Sequence, residues 1–94
     1  AAWPCGASAL LAFRRFLHGR SVECFFPYEE GVTDVTAPCR IGRIDLALWL
    51  LAAGWARPSD LATDAYRQAS VDARCARLGI WRGATPPEFC AAKN

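Results

Sequence analysis

The chain has 94 residues, which is the size of one small domain. With 53% hydrophobic residues, 21% charged residues and a net charge of +2, it is not a disordered chain, and it has no basic block of the kind that binds nucleic acid. Its longest apolar run, residues 46–53, is far shorter than the ~20 residues of a membrane-spanning helix. We therefore expect one domain over residues 1–94 with a mixed, solvated surface, no membrane span and no nucleic-acid partner.

The first predicted element is an amphipathic helix over residues 7–17. Its apolar residues fall in one arc of a helical wheel, and its arginines lie on the opposite side. Gly19 is placed to close the helix in a left-handed conformation, and His18 is expected to be a solvated residue of the last turn.

Two strands follow, over residues 20–28 and 35–41, and a polar hairpin connection joins them. Pro38 cannot donate to a ladder, so we expect an edge or a bulge there. In this hairpin Cys24 and Cys39 would be cross-strand neighbours with their β-carbons near bridging distance. We predict a disulfide between them.

Five cysteines are many for so short a chain, and none of them forms a C-x-x-C pair. With a single histidine, this spacing argues against a zinc site. Disulfides in an oxidising compartment, with one thiol left over, are the favoured interpretation, and we expect a periplasmic or secreted protein. The alternative is that the cysteines are buried, unpaired apolar residues. The pairing of Cys5, Cys75 and Cys90 is left open.

The second half of the chain is predicted to be helical. Gly42 and Arg43 form a tight turn, and Asp45 begins a helix over residues 46–53 that is apolar enough to be buried on nearly all sides. A loop follows, and a last helix runs from residue 63 or 64 to residues 78–79. Residues 84–94 are expected to form a coil-like tail. The whole order predicts an α+β fold of helix, hairpin, helix and helix, with a small sheet covered by helices.

Two further features of this half concern its large side chains. Trp49 and Trp55 are expected in the core rather than on a ligand platform. Three arginines share one face of the last helix, beside a stripe of alanines: Arg67, Arg74 and Arg77. We interpret this face as solvated.

The segments CGASALLAFRRFLHGRSVEC, APCRIGRIDLALWLLAAGWA and YRQASVDARCARLGIW resemble the second half of staphylococcal-nuclease-like domains. The order and spacing of the D-L-x-x-W-L-x-x-x-G-W-A and G-I-W segments are the most specific part of this resemblance, which covers residues 5–83. It implies part of a five-stranded OB barrel. In such nucleases two aspartates bind calcium, a glutamate acts as the base and two arginines contact the phosphate.

The resemblance does not carry these catalytic residues over to this chain. The two aspartates, the glutamate and the first arginine belong to the half of the family domain that the chain does not match. The second arginine stands in a G-R pair where this chain has Thr33 and Asp34, and an aspartate repels a phosphodiester. Arg40 and Arg43 lie further along and are poor replacements. We therefore expect no catalytic residue, no cofactor site and no metal site here, with calcium needed only by an intact family nuclease.

Three functional hypotheses follow. The first is a degenerate, noncatalytic nuclease-like domain with a structural or binding role. The second is the C-terminal part of an exported, calcium-dependent phosphodiesterase of the thermonuclease type. The third, which rests on the resemblance alone, is a role in envelope exopolysaccharide biosynthesis of the succinoglycan type. Because two strands cannot close a barrel, we also expect self-association through the sheet edge.

Overall fold

The computed structural model describes residues 4–25, 31 and 37–93, which form the expected α+β fold. A small antiparallel sheet in the order β1-β2-β3 is combined with three α-helices and two 3₁₀ helices. In chain order the elements are α1 (Cys5–Leu17), β1 (Glu23–Cys24), β2 (Cys39–Ile41), β3 (Ile44–Asp45), α2 (Leu46–Ala52), α3 (Asp64–Cys75) and the 3₁₀ helices Gly79–Trp81 and Glu88–Lys93.

The sheet differs from the predicted hairpin in strand length and strand number. The ladder between β1 and β2 holds two residue pairs. Residues 26–30 and 32–36, which contain the end of the first predicted strand, most of the connection and the start of the second predicted strand, lie outside the described residues. The turn at Gly42 and Arg43 was expected, but the third strand was not. Gly42 has φ +58°, and this left-handed residue returns the chain along β2, so that Ile44 pairs with Ile41.

Helix α1 begins at Cys5, two residues earlier than predicted, and ends at Leu17 as expected. Gly19 closes it with φ +71°. The helix packs through its aromatic residues, since the Phe16 ring stacks on Trp49 with centroids 4.2 Å apart. None of its residues is fully buried, and the side chains of Leu10 and Leu11 are 54% and 50% exposed.

Helix α2 begins at a strong cap but is less buried than predicted. One carboxylate oxygen of Asp45 accepts hydrogen bonds from the backbone N–H groups of Ala47, at 2.9 Å, and Leu48, at 3.3 Å. Burial on nearly all sides was wrong, because Leu46 and Leu51 are buried while Ala47 and Leu48 are exposed. The helix packs on α3 and the sheet, and its Trp49 packs on Phe16 of α1.

Helix α3 is capped by Thr63, whose hydroxyl accepts from the Tyr66 N–H, and it ends earlier than predicted. Its last residue is Cys75, and Arg77 adopts a left-handed conformation with φ 58°. The N–H groups of Arg77 and Leu78 then bond back to Arg74 and Ala73, in the Schellman arrangement that closes helices. The chain therefore turns back before residues 78–79, where the helix was expected to end.

The expected coil-like tail is also ordered in the structure. Residues Glu88–Lys93 form a 3₁₀ helix. A disulfide between Cys75 and Cys90 ties this segment to the last residue of α3. The tail is thus linked covalently to the end of α3.

A close backbone contact between distant segments joins two glycines. Gly54 closes α2 with φ +81°, and Gly79 follows α3 with φ +53°. The N–H of Ile80 donates to the Gly54 carbonyl at 2.7 Å. A Cβ built on Gly54 would lie 2.4 Å from the Leu78 carbonyl oxygen, and one on Gly79 would lie 2.3 Å from the Gly54 oxygen. Only glycine at both positions permits this backbone contact.

The core of the described residues is small for so apolar a chain. Its buried hydrophobic residues are Ile41, Leu46, Leu51 and Ala73, while nine large hydrophobic side chains are exposed. The radius of gyration is 15.3 Å, against about 12 Å for a compact domain of this length. Much apolar surface is therefore left in contact with solvent.

We predict that Gly54→Ala lowers the free energy of unfolding by more than about 3 kcal/mol, because a left-handed alanine is strained and its Cβ overlaps backbone atoms that cannot move aside. Gly42→Ala is the matched control, since Gly42 is also left-handed but has nothing within 4 Å of its Cβ position. Gly42→Ala should lower the free energy of unfolding by about 1 kcal/mol. Urea unfolding followed by circular dichroism measures both, and equal losses would contradict the contact.

Candidate functional site

The resemblance to staphylococcal-nuclease-like domains places the second phosphate-contacting arginine of those nucleases in the hairpin. Asp34, expected in place of a catalytic arginine, lies outside the described residues, so that interpretation stays a prediction. The stem of the hairpin is described. Cys24 and Cys39 face each other in register and form a disulfide with an S–S distance of 2.02 Å, which is the pairing expected from the sequence.

The five cysteines divide into two disulfides and one thiol. Cys24 bonds to Cys39, Cys75 bonds to Cys90, and Cys5 is a free, half-buried thiol at the start of α1. Each bridge closes a loop of 15 residues, which restricts the unfolded chain by about 3 kcal/mol. Two bridges fit an oxidising compartment.

The arginine of β2 lies on the face of the sheet opposite Cys39, as expected. The guanidinium carbon of Arg40 is 4.6 Å from the centre of the Phe25 ring, and its Nη2 is 3.9 Å from a carboxylate oxygen of Glu23. Because both charged side chains are more than half exposed, this ion pair adds little stability. Arg40, Arg43 and Asp45 line a shallow recess of about 200 Å³, which is smaller than a usual ligand pocket.

The described residues contain no cluster of ligands like the calcium site of the resembled nucleases. In the described part of the structure, no three histidine, cysteine, aspartate or glutamate side chains come close enough to hold a metal ion. Asp45, which pairs with Arg40 across β2 and β3, is occupied as a helix cap. We therefore derive no metal chemistry from the hairpin.

Asp45 also connects three elements of the domain. It ends β3, caps α2 and accepts a hydrogen bond from the hydroxyl of Tyr66 on α3. This hydrogen bond raises the pKa of Tyr66 above its usual value, and burial and the negative charge of Asp45 act in the same direction. The hydrogen bond between Tyr66 and Asp45 holds α3 against the start of α2. The aspartate of the D-L segment and the tyrosine of the last helix therefore have a structural role.

An exposed apolar surface accompanies the open edge of the sheet. Val22 and Phe25 flank β1 and are 43% and 48% exposed. Because they stand three residues apart along an extended strand, they lie on opposite faces of the sheet, and we call this pair the β1 surface. The β1 strand pairs only with β2 among the described strands. On α1, Leu10 and Leu11 are exposed to a similar degree. These side chains are available to contact another protein surface.

A second site, which the sequence did not reveal, lies between α3 and the loop that follows α2. The arginines expected on a solvated helix face are joined there by Arg57, and Trp81 stands among them. Together they line an open cleft of about 530 Å³, which we call the arginine cleft. The spacing of Arg67 and Arg74 on one helix face was visible in the sequence, but their meeting with Arg57 depends on the contact between Gly54 and Gly79.

Comparison with known proteins finds no match for this chain among family models, curated proteins or solved structures. No helix in the described ranges has the length and apolar character needed to cross a membrane. The fold and its sites are therefore interpreted from their own geometry.

We predict that Tyr66→Phe lowers the free energy of unfolding by about 1–2 kcal/mol at neutral pH, because Asp45 loses one hydrogen-bond donor. A raised tyrosine pKa stabilises the fold fully below the unfolded value of about 10, and this stabilisation is lost as pH rises through the folded pKa. Stability curves from pH 7 to 11 should therefore fall more steeply for the parent chain than for the variant. Parallel curves would contradict the hydrogen bond.

Proposed function

We propose that this chain is a noncatalytic domain of the staphylococcal-nuclease-like kind, with a binding role in which a second copy covers its exposed apolar surface. The observation that supports this proposal is the half-exposed β1 surface beside an open strand edge. Two disulfides make an exported protein the natural setting for this domain.

The strand edge gives the proposed contact its geometry. An exposed edge strand offers unpaired backbone groups, and a second copy of the same strand can satisfy them by antiparallel pairing. Such a contact is two-fold symmetric, because the same residues meet on both copies. Val22 and Phe25 of each copy would be buried beside the joined strands, and a sheet of three very short strands would be extended.

The small core gives the contact its driving force. Burying apolar surface stabilises association by roughly 25 cal/mol for each Å² removed from water. Only four hydrophobic residues are buried within the described chain, although 53% of its residues are hydrophobic. On helix α1, Leu10 and Leu11 are further exposed apolar side chains.

The same exposed surface also supports a second candidate function, in which this chain is the C-terminal part of a calcium-dependent phosphodiesterase. In that case the first half of the nuclease-like domain would cover the sheet and α1. The two candidates differ in a measurable way, because only the first predicts that the chain associates with itself.

We predict that the oxidised chain is a dimer at about tens of micromolar in light scattering. Phe25→Glu should dissociate it, because two negative charges, one from each copy, would enter the symmetric contact between the β1 surfaces. Leu61→Glu is the matched control, since Leu61 is 94% exposed and belongs to the loop between α2 and α3. It should leave the mass unchanged. In the same preparation, calcium and single-stranded DNA should give no cleavage.

Three results would contradict this proposal. A chain that stays monomeric at all concentrations would exclude self-association. It would favour coverage of the exposed apolar surface by another chain. Dissociation by both variants would show that the β1 surface is not the contact. Cleavage of DNA that stops when calcium is chelated would show that the domain is catalytic.

A further inference from the structure

The arginine cleft is built from three separate segments of the chain. One face of α3 forms its floor, the loop after α2 forms one wall, and the 3₁₀ helix after α3 supplies the other. The residues that matter for its chemistry are Arg57, Asp60, Arg67, Ser70, Arg74 and Trp81. At about 530 Å³ the cleft is large enough for a small molecule.

Two of the arginines are placed by the same aromatic ring. The guanidinium carbons of Arg57 and Arg74 lie 5.3 Å and 5.1 Å from the centre of the Trp81 ring. They are therefore within about 10 Å of each other, which is roughly the Debye length at 0.1 M salt. Attraction to the ring holds each planar cation in place despite their mutual repulsion.

The third arginine is oriented by the loop. The Nη2 of Arg67 donates to the backbone carbonyl of Asp60 at 2.9 Å. Because Arg67 and Arg74 are separated by two turns on the same face of α3, both side chains reach the cleft. A carbonyl partner fixes the position of the guanidinium without neutralising its charge.

The charge of the cleft is unbalanced. Three arginines line it, and Asp60 is the one acidic residue among the described residues of its lining. Like charges gathered in a recess are unfavourable unless an anion lies between them, and guanidinium groups match the geometry of carboxylate and phosphate oxygens.

Two further residues of the lining carry hydrogen-bond donors. Ser70, on the floor of the cleft, is 6% exposed and carries a hydroxyl. The Nε1 of Trp81 is buried and has no hydrogen-bond partner among the described residues. An unpaired buried donor is costly, and an oxygen acceptor that reaches it gains a hydrogen bond.

We propose that the arginine cleft binds one small oxyanionic group, a phosphate or a carboxylate, between Arg57, Arg67 and Arg74. The cations come from separate segments and converge on one recess, so the site suits a single anionic group better than a long polyanion. This site is independent of the β1 surface and of any association through it.

The test follows the indole N–H signal of Trp81 in ¹H–¹⁵N spectra while sodium phosphate or sodium citrate is added at constant ionic strength, with chloride as the balancing anion. We expect a saturable shift for at least one of the two oxyanions and none for chloride. Saturation by phosphate alone identifies a phosphate site, saturation by citrate alone identifies a carboxylate site, and saturation by both identifies a general oxyanion site.

Two variants and a control connect the shift to the cleft. Arg57→Gln and Arg74→Gln should each weaken binding about tenfold or more, because each removes a charge-assisted hydrogen bond. Arg14→Gln makes the same charge change on the exposed side of α1 and should bind normally. Absence of saturation by either oxyanion, or equal weakening by Arg14→Gln, would overturn the proposal. The titration is repeated on Phe25→Glu, the variant designed to dissociate the dimer. Because the arginine cleft is independent of the β1 surface, this variant should bind the oxyanion as the parent chain does.

Discussion

The backbone contact between Gly54 and Gly79 determines how the second half of this domain is arranged. It joins the end of α2 to the segment after α3, through the hydrogen bond from Ile80 to the Gly54 carbonyl. Any side chain at either glycine would push these segments apart. Since Trp81 follows one glycine and Arg57 follows the other, the contact also brings together the two walls of the arginine cleft. The G-W-A and G-I-W segments of the sequence therefore supply the two glycines of this one backbone contact.

A second set of polar contacts fastens the other end of the same helices. Asp45 ends β3, caps α2 and accepts from Tyr66, so one carboxylate fixes the sheet, α2 and α3 relative to one another. The disulfides add restraint at the hairpin stem and at the end of α3. These contacts compensate for a core of few buried residues. They also leave two different surfaces available: an apolar one at β1 and α1, and a cationic one in the arginine cleft.

Local chemistry made part of this fold predictable from the sequence. Asp45 and Thr63 are good caps, Gly19 and Gly54 close helices, and each of these signals acts within a few residues of the chain. The end of α3 was not predictable in this way. Its closing residue is Arg77, which has a side chain and gives no signal for a left-handed conformation.

The features that depend on tertiary contacts were the hardest to predict. An apolar sequence indicates that α2 prefers to be buried, but it does not show that the described residues leave Leu48 exposed. Arg57 is ten residues before Arg67, and nothing in that spacing places both in one cleft. Only the contact between the two glycines does so, and its partners are 25 positions apart in the sequence.

Hydrogen exchange at the Ile80 amide tests this central contact most directly. If Ile80 donates to Gly54 across the two segments, its amide should exchange only when the second half of the domain opens, and it should be among the most protected in the chain. The amide of Ala84, which bonds within a surface turn to Trp81, is the internal comparison and should exchange much faster. Equal, rapid exchange at Ile80 and Ala84 would contradict the account.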